Sequence, residues 1–261
     1  MNKRGLKVLT ALTALLVLVP TAAVLAQKRS INWMELPKKD AEKILQESPW
    51  SHTQVDTDVS EMFYSPTRAG SPSVARSSGT TGQSSNQQSI NNNRADRGAV
   101  NQAVDIKYRI CFLSALPVRQ AFAKMVLSSQ RQADDQLVAR LQSFVERDFS
   151  PYIVIAVTVE ASDARFSGPV MQAINSATTG TLKNTAYLER QDGKRLFLIS
   201  YLPPIQDGLG AKFIFPRTEN GQFFLTSKSE SVRFVAEFND SFKLNMTFKV
   251  ADMMFDDKLE Y

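Results

Sequence analysis

The chain has 261 residues and a formal net charge of +5, with one cysteine and one histidine. A single cysteine excludes an internal disulfide, and a single histidine means that any Ser-His-Asp or Cys-His relay would have to use His52. The charge is less informative, because the first seven residues contribute +3 and residues 65–102 another +3. The remainder carries −1, so nucleic acid is not expected as a partner.

Residues 1–26 have the pattern of an export signal. A positive start is followed by an apolar run, and Val24 and Ala26 place small residues just before Gln27. The alternative is an uncleaved anchor, since the apolar run is close to the minimum of about 17 residues that spans a bilayer. Pro20 and the small residues favour cleavage. We therefore expect an exported, periplasmic or extracellular protein, with membrane contact only through an uncleaved signal segment.

Residues 27–64 are predicted to contain a short helix. Pro37 suits a first helical turn, Ile44 and Leu45 lie on one apolar stripe, and Pro49 ends the pattern. A helix of about ten residues is not stable alone in water, so it must dock on its own body or on a partner. The side chains expected to mediate that docking are Trp33, Leu36, Ile44, Leu45, Trp50, Met62, Phe63 and Tyr64.

An acidic stretch, "HTQVDTDVSE", follows the predicted helix. Its metal-ligand candidates are His52, Asp56, Asp58 and Glu61, which together would suit zinc or manganese, whereas the three carboxylates alone would suit calcium. The spacing matches no defined metal loop, and an ordinary solvated turn has the same composition. We therefore expect neither a metal nor a cofactor.

The block "LPKKDAEKILQESPW" followed by "TDVSEMFYSPT" resembles a block of uncharacterised exported bacterial proteins. The resemblance covers only the front of the mature chain and implies bacterial export. It brings no activity, cofactor or catalytic residue.

Residues 65–102 are rich in Ser, Asn, Gln, Gly and Thr and almost lack large apolar groups. Such a composition cannot offset the entropy of ordering a backbone, so we predict a disordered tether.

Residues 103–261 are predicted to form a globular α+β domain. "AVDIKYRICFLSAL" alternates like a strand, a helical period begins at Pro117, and "PYIVIAVTVEA" is apolar enough for a central strand. The order strand, helical region, strand favours a parallel βαβ-like unit in the first half. The helical region is one long helix or two, with a break near "SSQRQADD". Pro169 is expected to open a further helix.

The second half is predicted to be antiparallel. Asp192-Gly193 and Asn220-Gly221 mark tight hairpins, and Pro216 is expected on an edge strand. "VRFVAEFNDSFKLNMTFKV" predicts a hairpin with one buried face. Its wet face carries Arg233, Glu237, Lys243, Asn245, Thr247 and Lys249. The fold class is therefore α+β with a mixed sheet.

No motif in the sequence specifies a reaction, and no residue is assigned as catalytic. Cys111 is expected to pack as a small apolar group, residues 203–210 to form a plain connection, and Asp256, Asp257 and Glu260 to form an exposed acidic end. We expect an exported, non-catalytic envelope protein that binds a protein or polymer partner. The alternative is an exported hydrolase whose site combines dispersed acids with His52.

Overall fold

The computed structural model describes residues 32–58, 104–132, 134–161 and 164–261, in which helices and strands form a two-sheet α+β fold. Its helices are α1 Lys38–Gln46, α2 Leu116–Ser129, α3 Asp135–Val145, α4 Ala164–Ser176 and α5 Thr179–Leu182. The first strands are β1 Ser51–Asp58, β2 Val104–Phe112, β3 Tyr152–Ala161, β4 Ala186–Arg190, β5 Arg195–Phe197, β6 Ser200–Leu202 and β7 Ala211–Pro216. Then come β8 Thr218–Glu219, β9 Gln222–Phe223, β10 Ser231–Glu237, β11 Lys243–Lys249, a 3₁₀ turn Val250–Asp252, β12 Met254–Phe255 and β13 Lys258–Leu259. The predicted class, α+β, is confirmed.

Local signals account for the helix boundaries. The predicted helix between Pro37 and Pro49 is confirmed as α1. The Asp134 side chain caps α3 by accepting a hydrogen bond from the Leu137 backbone N–H at 2.6 Å. The prediction for Pro169 was wrong, because α4 begins at Ala164 and contains this proline in its interior. A proline there removes one backbone donor, which the rest of the helix tolerates.

All strand pairs in the two main sheets are antiparallel. The first sheet has the order β1-β2-β3-β7-β6 and the second the order β11-β10-β4-β5. The predicted parallel unit is therefore wrong, since β2 and β3 are neighbours of opposite direction, with Ile110 opposite Val157. The physical reason is that α2 and α3 are separate helices: α2 takes the chain away from the end of β2, and α3 brings it back toward the same end. The chain thus re-enters the sheet at the end where β2 finishes.

Residues 32–58 belong to this domain. Strand β1 pairs with β2 along its whole length, from Ser51 opposite Cys111 to Asp58 opposite Val104, and α1 packs against α2. Residues 59–103 connect the two paired ends and lie outside the described residues, as does the predicted signal, 1–26. The whole predicted tether, 65–102, falls in that undescribed range.

The main core lies between the two sheets. Phe112 of the first sheet meets Phe248 of the second with ring centroids 4.9 Å apart, and Phe213 meets Phe234 at 5.1 Å. The predicted hairpin with one buried face is confirmed as β10–β11, whose inward side chains include Val232, Phe234, Ala236, Leu244 and Phe248.

The predicted turns are also confirmed, with positive φ at Gly193, Asn220 and Gly221. The prediction for Pro216 was wrong, because β7 lies between β3 and β6. Pro216 is the last residue of β7, beyond the part paired with β6, so its missing N–H costs no ladder bond there.

Candidate functional site

The outward side of the second sheet carries a regular array of polar and aromatic side chains. The register aligns Arg195, Glu189, Arg233 and Thr247 in one row across the four strands and Phe197, Tyr187, Val235 and Asn245 in the next. Because alternate side chains point to opposite faces, these eight residues share one face, which we call the open face. Val235 is buried there, whereas Arg195, Phe197, Asn245 and Thr247 are exposed.

A carboxylate between two guanidinium groups fixes the polar row of the open face. The two oxygens of Glu189 accept hydrogen bonds from Arg195 Nε at 2.9 Å and from Arg233 Nη2 at 3.1 Å. Partial burial acts to raise the pKa of Glu189, but the hydrogen bonds and charges of the two arginines outweigh it and hold this pKa below its usual value. The three side chains are therefore ordered by one another.

The aromatic row is held in a similar way. The rings of Tyr187 and Phe197 lie 5.8 Å apart, and the Arg195 guanidinium sits 4.5 Å from the centroid of the Tyr187 ring. Phe197 is 45% exposed. The open face thus presents an aromatic ring to solvent on a rigid support.

A half-open recess of about 350 Å³, lined by polar residue types, lies at one end of the second sheet, where β4 finishes and β10 begins. We call it the end recess. It is lined by Arg190, Gln191, Asp192, Thr226, Lys228, Ser229, Glu230 and Ser231.

Arg190 and Asp192 are bonded to each other in the wall of the end recess. The hydrogen bond from Arg190 holds the pKa of Asp192 at about 2 and raises the pKa of Arg190. Arg190 Nη1 also donates to the Phe224 carbonyl oxygen at 3.0 Å. The recess wall is therefore ordered before any ligand arrives.

Residues 32–58 are called the front segment here. The two tryptophans expected to dock this segment are buried in the domain of this chain. Trp33 is 3% exposed and donates from Nε1 to Gln142 Oε1 at 2.6 Å. Trp50 is 7% exposed and donates from Nε1 to the Glu260 carbonyl oxygen at 2.7 Å. The structure thus favours self-packing, one of the two interpretations that the sequence left open.

The remaining docking candidates contribute less to the front segment. Ile44 and Leu45 are partly buried against the main core, and Leu36 is partly exposed. Met62, Phe63 and Tyr64 lie outside the described residues.

The metal-ligand candidates have other partners or are not described. His52 Nδ1 lies 2.7 Å from Glu47 Oε1, and its ring lies 4.9 Å from that of Phe248. Asp56 is bonded to Tyr108, whose pKa is raised by burial and by this carboxylate. The side chain of Asp58 and all of Glu61 lie outside the described part. Among the side chains that the structure does describe, no group of three His, Cys, Asp or Glu could hold a metal ion.

The lone cysteine lies within β2 of the first sheet, and the 203–210 connection leads into β7 of the same sheet. Burial raises the pKa of the Cys111 thiol to about 12, so the reactive thiolate is scarce at neutral pH. The connection is fixed by the ion pair of Lys212 Nζ and Asp207 Oδ2 at 2.7 Å. Gly210 has a φ of +74° and passes so close to β3 that a Cβ atom would lie 2.1 Å from the Val157 carbonyl oxygen.

The acidic end has a structural role. Asp256 and Asp257 have φ angles of 47° and 59° and form the turn between β12 and β13. Glu260 Oε2 accepts a hydrogen bond from the Leu116 backbone N–H at 3.3 Å, at the start of α2. A carboxylate at that position also complements the helix dipole. The expected exposed cluster is thus partly drawn into the fold.

Tyr187 and Phe197 were not among the residues that the sequence singled out. The signal that could have found them is the alternation within "YLERQDGKRLFL", continued across the Asp192-Gly193 turn. That alternation places Tyr187, Glu189, Arg195 and Phe197 on one face of a hairpin.

The fold and the two surface features define an α+β sandwich with an open polar and aromatic sheet face. Comparison with protein-family models, with curated proteins and with solved structures finds no match to this chain. No helix in the described ranges is both long and apolar enough to cross a membrane.

Proposed function

We propose that this chain is an exported, non-catalytic binding module of the cell envelope and that it binds its partner through the open face. The observation that carries the proposal is the exposed aromatic ring of Phe197 beside the ordered Arg195–Glu189–Arg233 row. Exposed aromatic and arginine side chains on a rigid support are typical of binding surfaces.

The burial of the two tryptophans supports this choice of surface. Trp33 and Trp50 contribute to the packing of the domain, so they are not available to a partner while the domain is folded. We therefore propose the second sheet, rather than the front segment, as the partner surface.

Export and envelope binding are tested by expressing the full chain in a bacterium and fractionating the cells. We expect a mature protein that begins at Gln27 and sediments with the envelope, identified by mass spectrometry of its peptides. A tag at Tyr261 is to be avoided, because this residue is buried and its hydroxyl donates to the Leu225 carbonyl oxygen at 2.9 Å. Recovery of an unprocessed protein in the cytoplasm would contradict the proposal.

The matched test of the surface compares an open-face variant with a variant of the first sheet. Arg195→Ala with Arg233→Ala removes both arginines of the polar row, and we expect it to lower the fraction that sediments with isolated envelopes. Lys107→Ala with Arg109→Ala removes the same charge from β2 and is expected to sediment like the wild type. Equal loss in both variants would mean that net charge, not the open face, drives the association.

The hydrolase alternative centred on His52 is tested separately. Elemental analysis of the purified protein, together with thermal melting with and without a chelator, would show whether a stoichiometric metal is bound. Stoichiometric metal would favour the alternative over the binding module.

A further inference from the structure

We propose that the open face and the end recess together bind a polysaccharide chain with few charges, an inference that rests on the proposed envelope-binding function. Two features carry it: an exposed aromatic ring next to hydrogen-bonding side chains, and a recess whose lining is polar but balanced in charge.

The aromatic feature fits the apolar side of a sugar ring. A pyranose ring exposes a face of C–H groups, which gains by leaving water and packing flat on an aromatic ring. Phe197 presents such a ring, and Tyr187 packs beside it at 5.8 Å under the Arg195 guanidinium. Because this support is already ordered, little side-chain entropy is lost when a ligand binds.

The end recess fits the hydroxyl groups of a sugar. Its two cationic side chains, Arg190 and Lys228, are matched by two acids, Asp192 and Glu230. The other lining residues are Gln191, Thr226, Ser229 and Ser231, which offer both donors and acceptors. A volume of about 350 Å³ lies within the usual range for sites of small ligands.

The charges of the open face favour a neutral chain over a polyanion. Arg195 and Arg233 already donate to Glu189, so neither guanidinium is free of a carboxylate partner. A polyanion would have to compete with that carboxylate for both arginines. A neutral hydroxyl group can add to the same groups without displacing it.

The spacing of the two features favours a chain over a single sugar. Ser231 lines the end recess and by alternation shares the open face with Val235, which is in register with Tyr187. Ser231 precedes Val235 by four residues on β10, which corresponds to about 13 Å of strand. A ligand that contacts the aromatic row and also enters the end recess must span this distance.

The experiment is co-sedimentation of the mature protein, residues 27–261, with two probes. The first is purified bacterial cell-wall sacculi, and the second is insoluble chitin, an uncharged chain of N-acetylglucosamine that carries no peptide. Binding is measured in about 0.5 M sodium chloride, where attraction between surface charges is screened. We expect wild-type protein to bind both probes.

Two single variants with equal exposure make the test specific. Phe197→Ala removes the proposed anchor and is expected to weaken binding to both probes about tenfold or more. Tyr152→Ala removes a side chain that is also 45% exposed but lies on β3 of the first sheet, and it is expected to bind like the wild type. Circular dichroism of both variants checks that the fold is retained.

The outcomes separate this inference from the proposed function. Wild-type binding to sacculi but not to chitin would indicate that the peptides or the charged sugars of the sacculi are the partner. Equal binding by the two variants would mean that Phe197 is not an anchor. Loss of wild-type binding in salt would indicate charge-driven adsorption. Each of these results overturns the polysaccharide inference and leaves the proposed envelope binding intact. Failure of the wild type to sediment with any envelope fraction would overturn both the inference and the proposed function.

Discussion

The two sheets differ in what covers their outward faces. On the first sheet, Leu113 and Val154 are buried against Phe144 of α3 and Phe149 beyond it. On the second sheet, Phe197 remains exposed although it lies in an equally regular row. The difference teaches that, among the described residues, α3 and the segment after it cover the outward side of the first sheet, while the open face keeps an exposed aromatic ring, which we propose for contact with a partner. An alternating strand pattern alone does not distinguish a solvated face from a binding face.

The largest expected effect is a loss of stability when a buried aromatic residue of the core, Trp50, is removed. Trp50→Ala removes a ring that packs edge-on against Phe255 at 6.4 Å and a hydrogen bond to the Glu260 carbonyl oxygen. We expect the free energy of unfolding to fall by about 3–5 kcal/mol, as for other large-to-small changes in a core. Denaturant titration followed by circular dichroism measures it.

The control for Trp50→Ala is Phe197→Ala on the open face. Removal of this exposed ring is expected to lower the free energy of unfolding by at most about 1 kcal/mol, the usual contribution of a cross-strand aromatic pair such as that with Tyr187. Similar losses of stability in the two variants would mean that the exposed Phe197 ring stabilises the fold as much as the buried Trp50 ring does.

The second prediction concerns the connection that closes the first sheet. Gly210→Ala is expected to cost about 3 kcal/mol or more, because the new Cβ would lie 2.1 Å from the Val157 carbonyl oxygen and the φ of +74° is also unfavourable. Gly193→Ala is the matched control, since Gly193 has a φ of +80° but open space around the added atom. Its expected cost is about 1 kcal/mol, from the backbone alone.

Thermal and denaturant unfolding of the two glycine variants would decide this point. A cost at Gly210 no greater than that at Gly193 would mean that the 203–210 connection shifts away from β3. The covering of the first sheet would then be looser than its geometry indicates.

Local features of the fold could be predicted from the sequence because their signals are local. The prolines at 37 and 49 bracket α1, and the Asp192-Gly193 and Asn220-Gly221 pairs mark their turns. The period-two pattern of residues 232–250 identifies the β10–β11 hairpin and its buried face. Each of these depends on a few neighbouring residues.

The direction of β3 could not be predicted, because it depends on whether the preceding helical region brings the chain back to the end of the sheet where β2 finishes. A break near residues 130–134 turns one helix into two and reverses the strand that follows. The pattern of apolar residues is the same in both cases, so periodicity does not decide between them.

Strand β1 was missed for a different reason. "SHTQVDTD" is mostly polar, and its strand conformation depends on pairing with β2. The Gln54 side chain adds to this pairing by donating to the Lys243 carbonyl oxygen at 3.0 Å and accepting from the Asn245 backbone N–H at 2.9 Å. An amide side chain therefore links the edges of the two sheets, a tertiary role that composition does not reveal.

The smallest effect is expected at the end recess, where pH tests how its wall is held. The pKa of Asp192 is lowered from 3.8 to about 2 by the hydrogen bond from Arg190, so the ionised form is favoured in the folded protein. Because the pKa of Asp192 is lower in the folded protein, its ionisation stabilises the fold at pH values above the pKa of the unfolded chain, near 3.8. This contribution is lost as the pH falls through about 2. Asp192→Asn keeps an oxygen for the Lys194 backbone N–H but removes the charge. The variant should melt slightly below the wild type at pH 7, and the difference is small because the ion pair is largely exposed and screened. The difference in melting temperature should disappear between about pH 4 and pH 2, where the wild-type carboxylate is protonated. A gap that persists at pH 2 would show that the carboxylate acts through shape alone, and the end recess would then owe its order to the backbone of the turn.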